Sequence, residues 1–287
     1  MAEITVSSFN TDDRDASGWS ANAYQSAAHF VYSTENTTPV LKLLDARPGE
    51  RIVDFGCGSG EVTRQILCAV GDEGEVAGID SSSAMIAKAK LATKMQDTHM
   101  IVGELQSSTL LELLPQHLIG ATDKVFTTAT LHWCKQNPAA VVENAYKILK
   151  PGGLFVGEFG GYGNIAGTLF SLMREALHAA LKTQGIDPDD RDPWYFPTPD
   201  EYGSILNAEG FKLLGLTLAP RPTPVHNLPD WIRTFAGHNF LQGLDPEVEQ
   251  AVVNEAVALC KEKSEQDSQG RWSLDYVRLR FTAIKEV

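Results

Sequence analysis

The chain has no run of five or more lysines and arginines, no C-x-x-C pair and no apolar stretch approaching the roughly 20 residues that cross a bilayer. Each absence removes a class of function. With 37 acidic against 24 basic residues and a formal net charge of −13, the chain repels phosphate backbones, so no nucleic acid is expected as a partner. Cys57, Cys68, Cys134 and Cys260 lie far apart, with no histidines at metal-ligand spacing, which reads as four reduced structural thiols and no metal. The amino terminus lacks a basic region followed by an apolar core. The expectation is therefore a cytoplasmic protein without a membrane partner. Its 287 residues suffice for one large or two small domains.

What the sequence does have is a glycine-rich turn. Residues 51 to 60 read Arg-Ile-Val-Asp-Phe-Gly-Cys-Gly-Ser-Gly. Ile52, Val53 and Phe55 supply a buried strand, and Gly56, Gly58 and Gly60 let the backbone turn tightly and pass close to a ligand. A helical pattern follows from Glu61, with Val62, Ile66, Leu67 and Val70 on one face. The ligand is expected at the carboxyl end of this first strand. Gly56-x-Gly58-x-Gly60 is not the G-x-G-x-x-G of dinucleotide binding, which disfavours a nicotinamide oxidoreductase. An acidic residue followed by G-x-G-x-G, here Asp54 to Gly60, resembles the first motif of S-adenosylmethionine methyltransferases of the Rossmann-like class.

Taken in order, residues 1–18 are polar and acidic and read as a flexible tail. A helical pattern runs from Trp19 to Leu44, with Pro39 opening a further helix; Trp19 or Tyr24 either folds over the cofactor or serves as core. A second strand, Glu75 to Ile79, ends at Asp80, whose carboxylate is placed to accept both ribose hydroxyls or to cap the next helix; Ser82 or Ser83 can cap it instead. Ser81 adjoins it on the cofactor side. A third strand, His99 to Val102, leads to Glu104 and Leu105 at the sheet's ligand edge, with Glu104 either facing an adenine or solvated. A fourth, Asp123 to Thr128, places Thr128 at the same edge and runs into Leu131-His132-Trp133. After a helix from Pro138 to Leu149 and the stop Lys150-Pro-Gly-Gly153, Leu154 to Phe159 makes a fifth strand. Strands alternating with helices imply right-handed crossovers and a parallel sheet.

Asp54 to Gly60, Asp80, Leu131-His132-Trp133 and Leu149-Lys-Pro-Gly-Gly153, in this order, resemble the class I methyltransferases grouped around trans-aconitate methyltransferase and the malonyl-carrier-protein O-methyltransferase. The resemblance covers residues 19 to 160. It implies S-adenosyl-L-methionine as cofactor, S-adenosyl-L-homocysteine as product and a seven-stranded, mostly parallel α/β sheet with an antiparallel last strand. It also implies that Gly56, Gly58 and Gly60 pass along the methionine moiety, that Asp80 takes the ribose and that Glu104 and Leu105 frame the adenine. An aspartate is commoner in the family where Glu104 stands.

The second half is read on its own residues. Phe211 to Leu218 and Leu274 to Ile284 alternate as the last two strands, with a helix from Glu247 to Cys260 between them and another from Ile165 to Leu181. Segments 19–45, 161–200 and 219–260 are expected to form a helical cap on a single domain of residues 19–287. Trp194, Tyr195 and Phe196 form an aromatic cluster that an exposed loop rarely spends without burial or a ligand. Methyl transfer requires alignment and exclusion of water, and a base only for hydroxyls or carbon acids. His132 is the candidate base, or else orders its loop; Trp133 walls the sulfonium or belongs to the core. Glu158, Tyr162 and Asn164 are expected to face the acceptor with Trp194 and Arg221. Arg278 is the other candidate cation, although Tyr276, Arg278 and Arg280 alternate with Val277, Leu279 and Phe281 as a solvated strand face does. The expected partner is a small-molecule acceptor, a carboxylate or hydroxyl, bound by a monomer or homodimer. A protein that binds S-adenosylmethionine without transferring methyl, supporting a cyclisation for example, is the other reading.

Overall fold

The computed structural model describes residues 33–95, 99–164, 170–225, 227–237, 239–262 and 266–287. The flexible-tail assignment, Trp19 and Tyr24 lie outside them. The apolar runs pair as a seven-stranded sheet in the order β3-β2-β1-β4-β5-β7-β6. Its strands are β1 (Arg51–Phe55), β2 (Glu75–Asp80), β3 (Met100–Val102), β4 (Thr122–Thr128), β5 (Leu149–Gly160), β6 (Phe211–Val225) and β7 (Trp272–Lys285). The first five are mutually parallel, and β7 runs antiparallel between β5 and β6.

Side chains alternate between two covered faces, as strands buried on both sides require. Ile52, Phe126 and Val156 pack with Val40, Leu44, Val62 and Ile66 from α1 (Thr34–Leu44) and α2 (Glu61–Val70). Val53, Phe55, Val125 and Phe155 pack on the other face, with Val142 and Ile148 of α4 (Pro138–Ile148) and Tyr202 and Leu206 of α6 (Pro199–Ala208). Ser82 caps α3 (Ser83–Thr93), accepting from the Met85 N–H at 3.2 Å.

A separate apolar core forms the cap, from α5 (Phe170–Thr183), α7 (Leu228–Ala236) and α8 (Pro246–Glu262). Leu177, Trp231, Ile232, Val253 and Cys260 meet there with Val225, Trp272 and Leu274. β6 and β7 carry it: β5 pairs β7 only from Arg278 onward, and beyond that point β6 and β7 continue as a two-stranded ribbon into the cap. No helix among the described residues is long and apolar enough to cross a membrane.

Three expectations change. Pro39 lies inside α1 rather than opening a helix, because Ser33 supplies the N-cap, accepting from the Asn36 N–H. That helix packs against β4 and β5, so residues 34–44 cover the sheet instead of the cap. Residues 219–225 continue β6 in spite of Pro220, Pro222 and Pro224. The prolines recur every second residue of an edge strand, so their missing N–H groups all fall on the outward side, where no ladder bond is needed. α6 was not expected; its signal was the capping box in which Thr198 and Glu201 exchange bonds.

Candidate active site

At the carboxyl end of β1 the chain turns through Gly56, which has a φ of 75°. A Cβ there would stand 2.1 Å from the Thr130 Oγ1, so only glycine fits. The Gly56 N–H donates to the Ile79 carbonyl at 2.8 Å, and Asp80 Oδ2 accepts from the Gly58 N–H at 3.0 Å, tying the tips of β1 and β2 together. Asp80 Oδ1 accepts from the Ser82 N–H at 3.0 Å. Ser82 thus caps the helix that follows, and Asp80 ties the two strand tips together.

A cavity of about 320 Å³ opens over these tips. Asp54, Gly56 and Gly58 line it from the first turn, Asp80 and Ser81 from the second, Glu104 and Leu105 after β3, and Thr128 from β4. Gly60 does not; it is the N-cap of α2 and brings that helix against Ala89. Asp54 is 1% exposed. Thr63 donates to its Oδ2 at 2.6 Å, while its Oδ1 has no hydrogen-bond partner among the described residues. Burial pushes its carboxyl up to about 7, the negative charge of Asp80 adds to this, and the Thr63 bond opposes it. Sequence reasoning missed Asn144 of α4, which is buried and donates to the Leu105 carbonyl at 3.0 Å and the Ser107 carbonyl at 2.9 Å, fixing the loop after β3. It also missed Ala129, which holds a φ of 54° and lines the cavity where β4 ends.

Ala129 and Trp133 form the wall shared with a second, smaller chamber of about 30 Å³. Of the residues expected on the acceptor side, His132, Trp133, Asn164 and Trp194 line it. Arg278 lines it too and is 3% exposed. The solvated-face reading of β7 fails because the cap covers that face; Tyr276 beside it is 6% exposed, and the Arg278 guanidinium lies 4.9 Å from the centre of its ring. His132 Nδ1 accepts from the Gly160 N–H at 3.3 Å. Burial holds the ring's pKa well below its ordinary value, and the Arg278 charge lowers it further. The imidazole is therefore neutral, and the tautomer this hydrogen bond assigns carries its proton on Nε2.

Glu158, Tyr162 and Arg221 line neither chamber. Tyr162 is 62% exposed, because the chain turns outward after β5. Glu158 is 2% exposed and is surrounded by guanidinium groups: Arg221 Nη1 at 3.2 Å, Arg278 Nε at 4.0 Å, and Arg280 in direct contact from the paired position of β7. Arg221 also reaches the Asn36 carbonyl at 3.4 Å, and burial lowers its pKa to about 10.

Comparison with known proteins agrees with this geometry. A methyltransferase domain family model matches residues 53–157. An uncharacterized methyltransferase of Schizosaccharomyces pombe is 31% identical over 277 residues, covering 93% of this chain and 98% of that protein. Trans-aconitate 2-methyltransferase of Klebsiella pneumoniae is 25% identical over 266 residues, covering 90% and 96%. The structure of Haemonchus contortus phosphoethanolamine N-methyltransferase 2 with S-adenosyl-L-methionine superposes with a TM-score of 0.53 at 17% identity, covering 100% of this chain and 62% of that one. The chain belongs to the class I S-adenosylmethionine-dependent methyltransferases. It is an enzyme whose cofactor is S-adenosyl-L-methionine. The larger cavity fits that cofactor: Asp54 Oδ1, which has no hydrogen-bond partner among the described residues, would receive a cation, and the Gly56 turn leaves no Cβ in the way of a close approach.

Proposed function

We propose that this methyltransferase esterifies a small organic acid whose carboxylate alone reaches the smaller chamber, within a single domain of residues 19–287. The observation that carries the reading is the tautomer of His132: Nδ1 is occupied by the Gly160 N–H, so the ring offers an N–H donor and no basic nitrogen on Nε2. A hydroxyl acceptor needs a base to take its proton, whereas a carboxylate arrives ionised and needs donors and a cation. His132 and Arg278 supply these, and the relative named for trans-aconitate points to the same acceptor group. S-adenosylmethionine, when bound, supplies a methyl carbon made electrophilic by its sulfonium. The acceptor oxygen contributes the electron pair of the new C–O bond, and the electrons of the broken C–S bond go to sulfur. The products are a methyl ester and S-adenosylhomocysteine, with no proton to remove.

On the cofactor side Gly56 and Gly58 would lie along the methionine moiety, Asp80 would take the ribose hydroxyls, and Glu104 and Leu105 would frame the adenine. Asp80→Asn keeps one acceptor oxygen and removes the charge. It is expected to weaken S-adenosylmethionine binding by roughly 1–2 kcal/mol, the difference between charged and neutral hydrogen bonds over a pair of hydroxyls. Unchanged affinity by titration calorimetry would remove the ribose assignment.

His132→Ala tests the acceptor chemistry. Loss of one donor to a charged group is expected to lower kcat/KM about 10- to 100-fold, by the same amount at every pH between 6 and 9. The product should be a methyl ester by mass spectrometry. A loss that shrinks as pH rises, with a methyl ether as product, would replace the carboxylate reading by a base acting on a hydroxyl.

A further inference from the structure

Ala129 holds a backbone conformation that its own side chain disfavours. Among the described residues twelve glycines turn through positive φ, and only Asp45, Lys94 and Ala129 do so without being glycine. Asp45 and Lys94 are the C-caps of α1 and α3, where a left-handed residue commonly ends a helix. Ala129, at a φ of 54°, follows β4 and ends no helix, so its Cβ is carried at a conformational cost that glycine would not meet. The surrounding bonds pin it there. Its N–H donates to the Glu158 carbonyl at 2.8 Å, and the Thr130 hydroxyl next to it donates to the Thr128 carbonyl at 3.0 Å. A side chain kept in such a conformation beside a binding site points to a task for that side chain.

The position supplies the task. Ala129 and Trp133 line both chambers and pack against the cap core. On the reading that the acceptor meets the cofactor at this wall, the transferred group passes beside the Ala129 methyl into a space of about 30 Å³, close to the bulk share of one water. A group one carbon longer would overpack that passage, and the pinned backbone leaves the methyl no room to withdraw. We propose that the Ala129 side chain restricts the S-alkyl group of the cofactor to a single carbon, which makes it a specificity-determining residue for the sulfonium. The proposal rests on where acceptor and cofactor meet and is independent of the acceptor being a carboxylate.

Titration calorimetry of the enzyme at pH 8 compares S-adenosyl-L-methionine, its S-ethyl analogue S-adenosyl-L-ethionine, and S-adenosyl-L-homocysteine, which carries no transferable alkyl group. The wild type is expected to bind the methyl compound about 10- to 100-fold more tightly than the ethyl compound, and Ala129→Gly to narrow that ratio to within about 3-fold by gaining affinity for the ethyl compound. S-adenosylhomocysteine should bind both proteins alike. Ala129→Ser adds one atom at the same place and should weaken S-adenosylmethionine roughly 3- to 10-fold while leaving S-adenosylhomocysteine unchanged. A ratio that stays the same in Ala129→Gly, a wild type that binds the methyl and ethyl compounds alike, or a change shared equally by all three ligands overturns the proposal. The esterification reading is tested separately, by product identity and the pH profile of His132→Ala, and stands or falls apart from these titrations.

Discussion

Glu158→Ala is expected to lower the stability of the folded protein by about 3–5 kcal/mol, the range for removing one partner from a buried ion pair. Glu158 is 2% exposed, and three guanidinium groups converge on it, one of them itself 3% exposed. In water these arginines would be separately hydrated; in the fold the carboxylate is what makes their proximity tolerable. Removing it leaves like charges facing one another at low dielectric, where repulsion is weakly screened. The cluster joins β5 to β7 and β6, so the damage should spread to the ribbon that carries the cap. Urea unfolding followed by tryptophan fluorescence measures it, since Trp231 and Trp272 report on the cap core. Glu158→Gln keeps the volume and an acceptor oxygen and should lie between the wild type and the alanine variant. A loss below about 1 kcal/mol for Glu158→Ala would mean that the arginines relax into solvent and that the carboxylate is dispensable.

The same glutamate shows where sequence legibility ends. Its position near the end of β5 follows from the apolar run and the glycines around it. Its partners do not, because Arg221 and Arg280 reach it from 63 and 122 residues away. The rim of the larger cavity was legible for the opposite reason: Asp54, Gly56, Gly58, Asp80, Glu104 and Leu105 sit at fixed offsets after consecutive strands, and a parallel sheet delivers such positions to one edge. Arg278 was misread by a local rule. Alternation of polar and apolar residues marks one face as apolar but cannot say whether the other face meets water or a second core; here the helices of the cap close over it. The prolines of β6 misled in the same way, since their fit depends on the strand lying at the sheet's edge.

S-adenosylmethionine is expected to bind about 100-fold more weakly at pH 5 than at pH 8, with most of the change between pH 5 and 7. The cause is Asp54. Burial raises its carboxyl to about 7 in the ligand-free protein, and its Oδ1 lacks a partner among the described residues while the side chain lines the cofactor cavity. A cationic ammonium beside that oxygen requires the carboxylate form, so below pH 7 the ligand must first displace a proton, and apparent affinity falls nearly tenfold per pH unit. Above pH 7 the proton is already gone and affinity levels off. For folding alone the sign is reversed. The folded chain keeps a proton on Asp54 that an unfolded carboxyl with a pKa near 3.8 has released, so this group's contribution to stability declines as pH rises from about 4 to 7. Cofactor binding offsets that decline. Titration calorimetry at pH 6 in two buffers of different ionisation enthalpy should detect release of close to one proton per cofactor bound. Asp54→Asn should abolish the release and flatten the pH profile while weakening binding at pH 8. Proton release that persists undiminished in Asp54→Asn would assign the titration to another group and remove Asp54 from contact with the ammonium.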